Sequence, residues 1–112
     1  RRYWWDALGL DAVEDQAVAE AILLTAVNIG TGRAVRWWQQ SLRDAGEIEL
    51  EADGRFGPAT IEATNRSGRR ALAGFRARLE RFYAALASRE RYARYAAGWR
   101  QRIQAIFGGE AC

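Results

Sequence analysis

Apolar residues return every three or four positions along most of the chain. Leu72, Phe75, Leu79, Phe82 and Leu86 alternate by three and four, which gathers them on one stripe of a helix and leaves Arg76, Arg78 and Arg81 off it. After Ser88 the same rhythm resumes in Tyr92, Tyr95, Ala96, Trp99, Ile103 and Ile106, until Gly108 and Gly109 end it. The two stripes predict a pair of helices packed as an antiparallel hairpin. Upstream, Asp15 to about Asn28 is apolar on nearly every side, through Val18, Ala21, Ile22, Leu23, Leu24 and Val27, and so predicts a central, buried helix. Ile29-Gly30-Thr31-Gly32 breaks it; Thr31 is the expected N-cap of a helix from about Arg33 to Asp44 that turns Ala34, Val35, Trp38 and Leu42 inward and stops at Gly46. Ile48-Glu49-Leu50-Glu51 alternates as a short strand does and leads into the turn dipeptide Asp53-Gly54, so a small hairpin or extended loop is expected near residues 47–56. Pro58, the sole proline, suits the first turn of a short helix. The resulting expectation is an all-α chain of about five helices.

Length and composition narrow the picture. At 112 residues the chain suits one domain, residues 1–112, with a single core. Its longest apolar run, around Ala21 to Val27, is far short of the roughly 20 residues a membrane helix needs. The sole cysteine is Cys112, which rules out an intrachain disulfide, and the lack of histidine removes the usual zinc and haem ligand sets. No metal or cofactor is implied. The formal charge is +3 and every basic residue is arginine, a mild field that suits an anionic partner: cell-wall polymer, nucleic acid or lipid headgroup. The chain begins at Arg1 and holds no methionine, so it is expected to be a piece of a longer protein.

Asp53-Gly54-Arg55-Phe56-Gly57-Pro58-Ala59-Thr60 joins a turn, an aromatic anchor, a glycine expected at a tight approach and a proline-started helix. Taken by itself it is a structural loop. The pattern Asp-Gly-x-x-Gly-Pro-x-Thr also resembles the signature of small helical peptidoglycan-binding domains. With Ala26 to Gly30, Arg33-Ala34-Val35 and Gln39 upstream, and Gly98-Trp99 and Arg102-Ile103 downstream, it is similar to the predicted peptidoglycan domain at the C-terminal end of glycoside hydrolase family 108, the lysozyme-like secretion-activator muramidases. The resemblance runs from about Trp4 to Ile106. It implies a lysozyme-like helical lobe that engages peptidoglycan glycan strands, at the cell wall, in the periplasm or secreted, or held in the cytoplasm until lysis if phage-encoded.

Family members resemble lysozymes in cleaving between N-acetylmuramic acid and N-acetylglucosamine, with the proton donor a glutamate in an N-terminal Glu-Gly-Gly-type segment. That segment has no counterpart here, and Leu24 stands where the family often has an aspartate. Catalysis needs one carboxyl of raised pKa and usually a second carboxylate. Glu14, Asp15 and Glu20 read more simply as first-turn charge and surface polarity, so no catalytic residue is assigned.

The binding candidates are Asn28, Arg33, Trp37, Gln39, Asp53, Thr60, Tyr92 and Trp99, with Gly30, Gly54, Gly57 and Pro58 shaping the loops. Aromatic faces pack on sugars while arginine and amide groups bond their carboxylates and hydroxyls. Neighbouring helix positions point about 100° apart, so Trp38 is expected in the core and Trp37 at a groove. Trp99, on an apolar stripe, reads as core or as groove. Asn28 either caps its helix or offers its amide to an N-acetyl or peptide group, and Gln39 either ties its helix to a neighbouring backbone or binds ligand. Asp53 and Thr60 also have a role in bonding the loop backbone. Two other functions compete. Gln16 to Gln40 has a helix-turn-helix outline that would present Arg33, Arg36, Gln39 and Gln40 to DNA, although tryptophans in the reading helix and the low charge disfavour nucleic acid. A lobe that only supports a catalytic segment, without its own ligand, is the other.

Overall fold

The structure, a computed structural model, describes residues 6, 8–88 and 96–107. Among these the chain is all helical: α1 (Gln16–Ile29), α2 (Thr31–Asp44), α3 (Pro58–Ala87) and α4 (Ala96–Phe107), with a 3-10 turn at Leu10–Ala12 ahead of α1. Trp4, Trp5, Tyr92, Tyr95, Gly108 and Gly109, which the sequence singled out, lie outside the described residues.

α1 starts where the Asp15 carboxylate accepts hydrogen bonds from the backbone N–H groups of Ala17 (3.0 Å) and Val18 (3.3 Å). It ends at Gly30, whose N–H donates to Ala26 O at 2.9 Å and whose carbonyl accepts from Ala34 N at 3.0 Å. One residue thus closes α1 and opens α2, at φ +97°, where a side chain would be strained. Thr31 is therefore the first helical residue of α2 and not its N-cap, because the chain must turn at the glycine before it.

The stretch after Gly46 is a loop of turns, with Leu50 N–H donating to Glu47 O. The alternation at Ile48 to Glu51 forms no strand among the described residues; Ile48 is 73 % exposed, so only Leu50 reaches the core. The short helix expected at Pro58 and the helix expected from Leu72 are one continuous helix of 30 residues, α3. Its inner face runs Thr60, Ala63, Thr64, Ser67, Gly68, Ala71, Leu72, Phe75, Leu79 and Tyr83, small at the N-terminal end and large at the other. The small half lets α1 come close: a Cβ on Gly68 would meet Val18 Cγ1 at 3.2 Å.

Around this spine the buried apolar residues form one cluster. Trp38 of α2 is fully buried, edge-on to Phe75 with ring centres 5.1 Å apart, and its indole N–H donates to Thr64 Oγ1 at 2.9 Å. α4 runs back along α3 as the expected antiparallel hairpin, since Tyr83 meets Trp99 while Phe75 meets Phe107. Phe107, absent from the stripe read in the sequence, is among the most buried residues of α4.

Candidate functional site

The Asp53 to Thr60 loop is folded around one side chain of α2. Gln39 is fully buried, and its Nε2 lies 3.1 Å from Asp53 Oδ1, 2.9 Å from Arg55 O and 3.0 Å from Thr60 Oγ1. The Gly54 N–H donates to Gln39 Oε1 at 2.8 Å, so the acceptors around the nitrogen and the donor at the oxygen fix the amide's orientation. Arg55 N–H donates to the same Asp53 oxygen at 2.9 Å, and Thr60 Oγ1 sits 3.3 Å from Arg55 O. Gln39 is fully buried and Thr60 nearly so, with Thr60 at the edge of the loop hollow, and both spend their hydrogen bonds within this knot. Asp53 stays exposed, its carboxyl held below the usual range first by the Arg55 N–H and then by the Gln39 amide.

Gly54 is needed here for its backbone: its φ is +82°, where a side chain would be strained, while a Cβ would only touch the Arg36 side chain at 3.4 Å. Gly57 is different from expectation: its φ is −101° and a Cβ there would meet nothing within 4 Å. It occupies the N-cap position of α3 in extended backbone, so no tight approach calls for glycine. Pro58 does begin α3 as expected. Beside the knot lies a hollow of about 470 Å³ edged by Glu49, Glu51, Asp53 and Arg55, acidic in balance.

A second hollow, about 310 Å³, opens where α2 and α3 part. Trp37 and Phe82 meet edge to face across the seam at 5.5 Å, and the Arg33 guanidinium sits 5.0 Å from the Phe82 ring centre. Arg78 and Arg81 complete the lining. Arg78 is held in place, donating from Nη1 to Ser41 Oγ (3.2 Å) and from Nη2 to Asp44 (2.8 Å). Trp37 is half-buried beside the buried Trp38.

A third hollow, about 400 Å³, lies between α3 and α4. Tyr83 and Trp99 stack along one wall, 5.3 Å apart and 12° from parallel. Burial pushes the Tyr83 hydroxyl up, with Arg102 opposing.

The structure therefore brings Gln39, Asp53 and Thr60 together in the loop and Arg33 and Trp37 together at the seam, and it places Trp99 in the α3–α4 cleft. Asn28 joins none of them: it is exposed near the end of α1 and donates Nδ2 to Leu24 O at 2.7 Å, while Gly30 does the capping. Tyr92 lies outside the described residues. Sequence reasoning passed over Phe82, Arg78 and Arg81. Their signal was the spacing: Arg33 and Trp37, and likewise Arg78 and Phe82, stand four apart, one helical turn on a shared face.

Residues 33–104 match the family described as a predicted peptidoglycan domain, a stretch that takes in most of α2, the knotted loop, α3 and most of α4. No curated protein and no solved structure matches the chain. With most of its length matched, the chain belongs to the predicted peptidoglycan domain family.

Proposed function

We propose that this chain binds peptidoglycan, and that it does so as a single lysozyme-like lobe of a family 108 type muramidase whose proton donor lies in an N-terminal segment. The observation that carries the reading is the family match over residues 33–104, which contains the whole Gln39 knot and the whole aromatic and arginine seam. The seam supplies what a sugar polymer needs, flat apolar rings bordered by fixed N–H donors. Among the described residues the carboxyls that shift, Asp15, Glu47 and Asp53, all move down. That is the wrong direction for a proton donor, which supports placing the chemistry elsewhere. The DNA-reading alternative loses a principal residue, because Gln39 is buried within the knot.

The test is co-sedimentation of the purified chain with insoluble peptidoglycan sacculi at low and high salt, with turbidity followed in the same tube. The expected result is binding that survives high salt without clearing. Clearing of the sacculi would mean that an acid within this chain does the chemistry. Failure to bind at either salt would leave a supporting lobe as the better reading, and binding abolished by salt would point to attachment by charge alone.

A further inference from the structure

We propose that the hollow at the α2–α3 seam is a subsite for an N-acetylated sugar that carries a carboxylate, as a muramyl residue does and a neutral hexosamine does not. This rests on the peptidoglycan reading and adds the chemical class of the unit recognised.

Packing creates the hollow. At one end of the seam the helices lie close enough that a Cβ on Gly74 would stand in ordinary contact with Ser41 Cβ, at 3.9 Å. At the other end Trp37 and Phe82 hold them apart, leaving about 310 Å³ with an aromatic floor. A pyranose ring has apolar C–H faces that pack on such a floor.

Charge sets which sugar. Arg78 and Arg81 line the hollow, Arg33 lies over the Phe82 ring beside it, and among the described residues the lining contains no acid. The nearby carboxylate, Asp44, is 67 % exposed and pairs with Arg78. Arg33 is engaged by the Phe82 ring, and Arg81 makes no ion pair or hydrogen bond among the described residues. Among the described residues, two cations thus face solvent beside the aromatic floor without an anion. Arg78 adds a guanidinium already fixed by Ser41 and Asp44, so little side-chain freedom is lost when a ligand arrives. A neutral sugar would use the rings and leave these charges unanswered; a carboxylate meets a guanidinium in a charge-assisted, two-point bond. The loop hollow, edged by Glu49, Glu51 and Asp53, has the opposite character and would repel the same group.

The carboxylate has two chemical sources, the lactyl arm of the sugar or the peptide attached to it. Titrations of the ¹⁵N-labelled chain with N-acetylmuramic acid, muramyl dipeptide, an N-acetylglucosamine trimer and inorganic phosphate separate them. The Trp37 indole N–H and the Arg81 Nε–H are expected to shift with a carboxylated probe. Response to N-acetylmuramic acid assigns the lactyl arm, and response to the dipeptide alone assigns the peptide. The Arg33→Gln, Arg81→Gln double variant, checked for an unchanged helical spectrum, is expected to weaken that binding about tenfold while leaving the trimer unaffected. The proposal is overturned if the trimer or phosphate binds the seam as tightly as the muramyl probes, if the double variant binds normally, or if no probe moves Trp37. Sacculi binding measured alongside keeps the two ideas apart. Retained sacculi with a silent seam would sink the subsite alone, whereas unbound sacculi would sink the peptidoglycan reading.

Discussion

Gln39 shows how much one buried side chain decides. Its amide answers Gly54 N–H, Arg55 C=O, Thr60 Oγ1 and Asp53 Oδ1, groups that approach it from 14 to 21 residues downstream. Gln39→Leu keeps the bulk and strips the partners, leaving several polar groups of the loop unanswered. The expected cost is about 3 kcal/mol in urea unfolding, and a loss below about 1 kcal/mol would mean that water replaces the amide without difficulty. Thr25 presents the reverse case. Its hydroxyl is fully buried and lacks a partner among the described residues. Thr25→Val should therefore raise stability by about 1 kcal/mol in the same assay, and a decrease would reveal a hidden partner. At this scale the sequence separated Trp38 from Trp37 correctly, because adjacent helix positions must diverge. It left Gln39 undecided between loop and ligand, since no local pattern records which distant backbone an amide will meet.

Among the elements, α1 and α2 were legible because their apolar residues repeat at the helical period and Gly30 marks the break. α3 was read as two helices, for a physical reason. The inner face of its first half is Thr60, Thr64, Ser67 and Gly68, residues that leave no apolar stripe although they are buried. They are small because α1 and α2 lie against them, and that closeness is a tertiary fact. The Ile48 to Glu51 alternation misled in the opposite way, since period two makes a strand only where a second strand can pair with it. The close approach at Gly68 can be tested directly. Gly68→Leu should cost about 2 kcal/mol, as its side chain would drive into Val18. Val18→Ala costs stability by itself but makes room, so the double variant should lose less than the sum of the two single losses. Strict additivity in thermal melts would show that the contact is not the reason for glycine there.

Across the whole molecule α3 is the spine to which the other parts are pinned, and several pins are carboxylates. Asp15, the α1 cap, pairs with Arg69, and Glu47 of the loop takes Arg66 at 2.7 Å and Ser67 Oγ at 2.6 Å. That all-α layers would form around one core was legible from periodicity. These pins were not, since they join residues as far as 54 apart and involve side chains that read as ordinary surface charge. They do set how the fold answers acid. The Arg66 hydrogen bonds, then that of Ser67, hold Glu47 down at about 2, from an ordinary value of 4.5. Burial pushes Asp15 up, but its bonds from Arg69 and from the Val18 and Ala17 N–H groups outweigh this and lower it. Folding therefore lowers the proton affinity of both groups, and the unfolded chain binds more protons in acid. Their stabilisation is fully present above the unfolded values and is lost as pH falls, for Glu47 between about 4.5 and about 2. Thermal melts should give a steady midpoint from neutral pH down to about pH 5 and a decline of many degrees below it. Glu47→Gln removes the charge at every pH, so its midpoint should start several degrees below the parent's and converge with it toward pH 2. Parallel curves with an undiminished gap at low pH would show that Glu47 acts through its shape and not through its charge, and that the loop is held to α3 by other means.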